Sequence, residues 1–225
     1  NATRRRADTG PAHTALYRLS WGPLAVGFVT RAEIDKLFER LARHVNATKR
    51  HSGEGAAWQC TLPNGEVNTY GMVGVRTHAE AMDSAENLIK WIWDSKDYLK
   101  KRANYVGKES RSIEEFVNQN IFLSVCADLA NGLKHGGLDK SRGKGPRSGM
   151  NPKLGEVSIT FPQAAIGSLV FSDHYAAVNV SDPDKVEVKL PILAENGDHI
   201  GDAFDFAYQA IQALEQLRNE VDAAV

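Results

Sequence analysis

Three segments of this chain place a hydroxyl residue three positions ahead of a glutamate and then run apolar residues at helical spacing. Thr30-Arg31-Ala32-Glu33, Thr77-His78-Ala79-Glu80 and Ser112-Ile113-Glu114-Glu115 each match the capping box. In that motif the hydroxyl and the carboxylate reciprocally satisfy the free amides of a helix's first turn. Ile34, Leu37, Phe38, Leu41 and Val45 follow the first box; Met82, Ala85, Leu88, Ile89, Ile92 and Leu99 follow the second; Phe122, Val125, Leu129 and Leu133 follow the third. A recurrence of three to four residues gives each helix one dry face to set against a core. The pattern predicts helices near 78–102 and 113–135. A further helix is expected over 203–222, where Asp202 stands as N-cap before Phe204, Ala207, Tyr208, Ile211, Leu214, Leu217 and Val221.

Elsewhere the apolar period drops to two. Trp58 to Leu62 and Glu66 to Tyr70 flank Pro63-Asn64-Gly65, a hairpin signal because Asn-Gly tolerates positive φ. Val157, Ile159 and Phe161 alternate with polar residues, as do Val186, Val188, Leu190 and Ile192. Leu169 to Val180 reads as a long extended stretch bent near Asp173, and Asn196-Gly197 as the turn into the last helix. Strands and helices are segregated rather than alternating, so the expected class is α+β, not βαβ. The expectation is one continuous unit over 1–225, built from a mixed region with a hairpin (1–76), a helical core (77–137), a basic Gly-rich loop (138–153) and an antiparallel sheet plus helix (154–225). The sheet is expected from about 156 to 194.

Composition narrows the class further. With 225 residues, 42% hydrophobic and 24% charged, the chain can bury a substantial core, which excludes disorder. A net charge of -1 removes any whole-molecule attraction to nucleic acid or anionic membrane and leaves only local patches. The longest apolar runs, Leu24 to Val29 and Tyr70 to Val75, fall far short of the ~20 residues a membrane helix needs. Asn1 to Arg6 has no apolar stretch behind it that could act as a signal peptide. Cys60 and Cys126, the two cysteines, read as buried small hydrophobes in a reducing compartment. A cytoplasmic protein with no membrane association is expected.

The segment richest in chemistry runs from Ser124 to His135. At about 100° per residue, Ser124, Asp128, Asn131 and His135 fall within roughly 60° of one another, opposite Phe122, Val125, Leu129 and Leu133. An acid, an amide and an imidazole on one stripe are suited to binding phosphate or to acid–base catalysis. The same stripe is equally an ordinary polar face or a buried hydrogen-bond network between helices. His135 stands in the last turn before Gly136-Gly137, where the helix dipole favours its protonated form.

The Asn131-Gly132-Leu133-Lys134-His135 ending resembles the signature of HEPN domains, helical domains whose catalytic members cleave RNA. That signature joins an arginine, a polar residue and a histidine at a helix end. Asn131 and His135 match the last two, whereas the arginine position is occupied by Ala130. Together with Trp91-Ile92-Trp93-Asp94, the ending is also similar to uncharacterised bacterial proteins with a Trp-Asp helix and a Lys-His helix end. The resemblance covers about Thr77 to Gly137. It implies RNA or nucleotide association in a bacterial cell, with metal-independent ribonuclease activity in a defence or toxin setting. His135 would then be the acid–base residue and Asn131 and Asp128 its orienting partners. The rival reading is a non-catalytic interaction or oligomerisation module.

Two further features bear on partners. Lys134, Arg142, Lys144 and Arg147, with Lys140 and Lys153, make the Gly-rich loop a phosphate-binding candidate, with a solvated loop as the plain alternative. A second basic stretch runs from Lys96 to Arg111. Trp91, Asp94 and Tyr98 line one side of the second helix and Trp93 lies nearer its apolar stripe, so Trp91, Trp93 and Tyr98 are expected at the interface of a homodimer through helices 78–102 and 113–135. No cofactor or metal is expected, because His44, His51 and Cys60 lack ligand spacing. Ser172, Asp173 and His174 are adjacent, point to alternate faces and form no relay by themselves.

Overall fold

A computed structural model describes residues 29–136 and 150–223. It is α+β, with five long helices and sheets that are antiparallel at every pairing but one. Helix α1 spans Arg31–Thr48 and α2 spans His78–Tyr105; both open on complete capping boxes, at Thr30 with Glu33 and at Thr77 with Glu80. Helix α3 follows over Ser110–Gln119 and α4 over Ile121–His135. The last helix, α5, occupies Ala203–Asp222, and Asp202 caps it by accepting from the amides of Phe204 and Asp205.

The expected single helix over 113–135 is two helices. Asn120 adopts extended backbone (ψ 122°), ends α3, and caps α4 by accepting from the amide of Leu123 at 3.1 Å. The third capping box is not a helix start either. Helix α3 begins at Ser110, Ser112 donates its hydroxyl to the carbonyl of Glu109, and Glu115 pairs with Arg111. An asparagine can offer the backbone a local alternative to the helix, so the chain breaks there although the apolar period does not.

The sheet also departs from expectation. Strands β1 (Ala56–Thr61) and β2 (Val67–Val73) form the hairpin around Asn64-Gly65, with Trp58 opposite Tyr70. Strands β5 (Ile166–Ser172) and β6 (Tyr175–Val180) form a second hairpin, turning at Asp173-His174. The two hairpins join through a parallel pairing of β2 with β6, giving one four-stranded sheet in the order β1-β2-β6-β5. The chain leaves β2 at Gly74, whose φ of 85° lets the backbone cross the carbonyl of Val180 where a Cβ would collide. The remaining strands make small ladders: β3 (Lys153–Leu154) with β8 (Pro191–Leu193) and β9 (His199–Asp202), and β4 (Ser158–Thr160) with β7 (Glu187–Lys189). Asn196-Gly197 therefore turns the chain into β9, and α5 begins only afterwards.

Helix α2 is the central element. Ile34 and Leu41 from α1, Leu88, Ile92 and Leu99 from α2, and Leu214 and Leu217 from α5 form the main apolar cluster with Ile113 and Leu123. A second cluster joins α2 and α4 to the short strands through Ile89, Leu129, Leu190 and Ile192. The third, Met72, Val75, Ala165, Val180 and Val186, lies under the four-stranded sheet. Among the described residues strand β5 is an outer strand, with Leu169 50%, Val170 51% and Phe171 72% exposed. At the opposite edge Cys60 is exposed, against expectation, because no described element covers β1 from Ala57 to Thr61; Cys126 is buried inside α4.

Candidate functional site

Helix α4 carries the expected site residues, and its packing separates them. Ser124 is buried and donates its hydroxyl to the carbonyl of Ile121 at 3.0 Å. Asp128 is 2% exposed, Asn131 is half-buried, and Lys134 and His135 are exposed in the last turn. The helix ends at Gly136, whose φ of 71° is the left-handed cap and whose amide donates to the carbonyl of Gly132. The stripe thus passes from the interior to solvent over three turns, and its acid and its imidazole do not meet in one open cleft.

Ala130 is 4% exposed and belongs to the cluster with Leu129, Leu190 and Ile192. A guanidinium there would have to enter this apolar packing, which is unfavourable. The departure from the HEPN signature is therefore matched by the local packing. Arg142, Lys144 and Arg147 lie outside the described residues.

The second basic stretch is used inside the molecule. Lys96 and Lys100 both reach Glu114 Oε1 at 2.8 Å. Burial alone would raise the Glu114 carboxyl, but hydrogen bonds from Lys100 and Lys96 outweigh it and bring it down to about 2. Arg102 pairs with Asp222 at 3.0 Å, Arg111 with Glu115 at 2.9 Å, and Lys108 donates to the carbonyl of Glu220. The aromatics are likewise engaged within the chain. Trp91 lies under the Arg40 guanidinium at 4.4 Å and stacks on His44, and Lys96 Nζ sits 3.7 Å above the Trp93 ring. Tyr98 is partly exposed beside Lys101.

A cavity of about 510 Å³ opens on the other side of α4. Its apolar wall is Met82 from α2, Leu129 and Leu133 from α4, and Leu154 from β3; Glu86, Asn151, Lys153 and Glu195 supply its polar groups. The α4 residues that line it, Leu129, Gly132, Leu133 and Gly136, are centred about 100° around the helix from Asp128 and His135. Asn151 donates from Nδ2 to Glu195 Oε2 at 2.7 Å, holds a positive φ of 42°, and keeps its Oδ1 buried without a partner. Sequence reasoning missed this cavity because Met82, Leu129 and Leu133 have the spacing of ordinary core residues. The one available signal was Asn151 beside Pro152 next to the Gly-rich stretch.

A smaller cavity of about 310 Å³ lies between Val45, His51, Leu88, Phe204 and Tyr208. Behind it, Arg76 is 4% exposed and its Nη2 donates to the carbonyl of Thr48. Burial pushes the pKa of neighbouring His51 down, and Arg76 adds to that effect.

Among the described residues, no group of three or more His, Cys, Asp or Glu is placed to hold a metal ion. No helix among them is long and apolar enough to cross a membrane. His174 pairs with Glu66 at 3.0 Å on the sheet surface, so the Ser172–His174 segment has a surface partner of its own. Compared with known proteins, the chain matches no family model, no curated protein and no solved structure.

Proposed function

We propose that this chain is a non-catalytic interaction module that associates with a second copy of itself. The observation that carries the reading is strand β5, an outer strand among the described residues, whose Leu169, Val170 and Phe171 are half or more exposed. The strand, Ile-Gly-Ser-Leu-Val-Phe-Ser, carries no charge and no proline, the usual guards of an edge. Two copies can pair antiparallel about a two-fold axis with no like charges opposed. The helical surface proposed from sequence for the same dimer is less suited to it, since Trp91 and Trp93 are engaged inside the chain.

Against catalysis stand the burial of Asp128 and the packing of Ala130 where a HEPN arginine would act. Purified chain incubated with labelled RNA, beside His135→Ala, is expected to leave the RNA intact in both cases. Cleavage by the parent chain that His135→Ala abolishes would overturn the non-catalytic reading.

RNA or nucleotide association without cleavage is the second reading. It is favoured by Lys134 and His135 standing exposed together at the end of α4, next to the basic stretch of the sequence. Phosphate held this way is sequence-independent and salt-sensitive. A binding curve on single-stranded RNA that is unchanged by Lys134→Glu would remove this reading.

A further inference from the structure

The 510 Å³ cavity has the size of a small-molecule site, one apolar wall and a few converging polar groups. The charge of those groups is what identifies an occupant. Glu86 and Glu195 line it against one cation among the described lining residues, Lys153. Glu86 is neutralised by Lys90 at 3.2 Å, which leaves Glu195 as the carboxylate open to an occupant. Helix α4 ends at the cavity with its C-terminal turn, the negative end of the helix dipole. The Glu195 carboxylate and the C-terminal end of α4 favour an ammonium over an anion as the group held at the cavity wall.

Asn151 shows that the site is built. Its Nδ2 holds the Glu195 carboxylate at the cavity, while its own Oδ1 is buried without a hydrogen-bond partner, which is unfavourable to folding. A feature of that kind in a cavity-lining residue points to a role other than stability.

We propose that the cavity binds a small amphipathic cation, an ammonium group carried on an apolar chain or ring. The ammonium is held by Glu195 and the last carbonyls of α4, and the apolar part lies against Met82, Leu129, Leu133 and Leu154. Asn151 is a positioning residue, acting through Glu195. This site is independent of strand β5 and of the proposed self-association.

Calorimetric titration of the full chain with hexylammonium chloride, and separately with sodium hexanoate, tests the assignment. Hexylammonium is expected to bind saturably at one site and hexanoate at least about tenfold more weakly. Glu195→Gln should weaken hexylammonium by about tenfold, the scale of one charge-assisted contact. Asn151→Gly adopts the positive φ freely, so it should weaken binding without lowering the thermal midpoint. Leu133→Trp should fill the cavity and abolish binding. The proposal is overturned if hexylammonium gives no saturable heat, if hexanoate binds equally well, or if Glu195→Gln binds as the parent does.

Discussion

Arg76 donates from Nη2 to the carbonyl of Thr48 at 2.9 Å, so a guanidinium on the approach to α2 closes the last turn of α1. Helix α1 has no basic residue in its own last turn, and Arg76 supplies that charge from a distant part of the chain. Hydrogen bonds to a charged group are worth about 1.5–3 kcal/mol, and relief of the buried charge offsets part of this. Arg76→Met keeps the apolar stem and loses the bond. It is expected to destabilise by about 1–2 kcal/mol in urea unfolding. An unchanged urea midpoint would show that the bond contributes nothing.

Glu114 makes stability depend on acid. Its carboxyl titrates at about 2 in the folded chain against an ordinary 4.5, so its ionised form favours folding. The contribution is fully present above pH 4.5 and is lost as the pH falls through 4.5 towards 2. Glu33 and Glu80 are depressed in the same direction by the hydrogen bonds of their capping boxes. Glu114→Gln should therefore make the acid limb of the urea midpoint shallower without flattening it. An identical acid limb in parent and variant would contradict the Lys96–Glu114–Lys100 cluster.

Asn120 separates α3 from α4 and caps the latter. Asn120→Ala should cost about 1 kcal/mol, the usual worth of an N-cap, whereas Asn120→Asp should be nearly neutral. Equal stability of the two variants would argue for a continuous helix. The break was hidden in the sequence because Ile113, Val117, Leu123 and Leu129 keep dry positions on both sides of it. One residue's ψ changes the helix direction and leaves the apolar period almost intact. By contrast, the boxes at Thr30 and Thr77 and the cap at Asp202 were legible, because each is a local bargain between a side chain and the next turn.

The parallel pairing of β2 with β6 was not legible for a different reason. Thr69 meets Tyr175 across more than a hundred residues, and no local pattern encodes that partnership. The candidate site followed the same division. Spacing correctly grouped Asp128, Asn131 and His135 on one side of α4, but which part of that side is buried depends on the elements packed over it. Asn151 and Glu195, which meet across the cavity, are 44 residues apart and had no shared signal.

The two cysteines should differ in reactivity. Cys60 lies exposed on β1, whereas burial pushes the Cys126 thiol up to about 12. The thiolate is the reactive form, so a thiol reagent at neutral pH should label Cys60 in the native chain and Cys126 only after unfolding. Rapid native labelling of both would contradict the packing of α4.

Light scattering across a concentration series tests the proposed self-association through β5 most directly. A single strand pair is a small interface beside the roughly 1,200–2,000 Å² of stable complexes, so the dimer should dissociate on dilution. The mass of the parent chain is expected to rise from 24.7 kDa towards twice that value at high concentration. Phe171→Lys, at a position 72% exposed, should keep its thermal midpoint and remain at the monomer mass. A parent chain that stays at 24.7 kDa throughout, or a dimer that Phe171→Lys leaves intact, would contradict it.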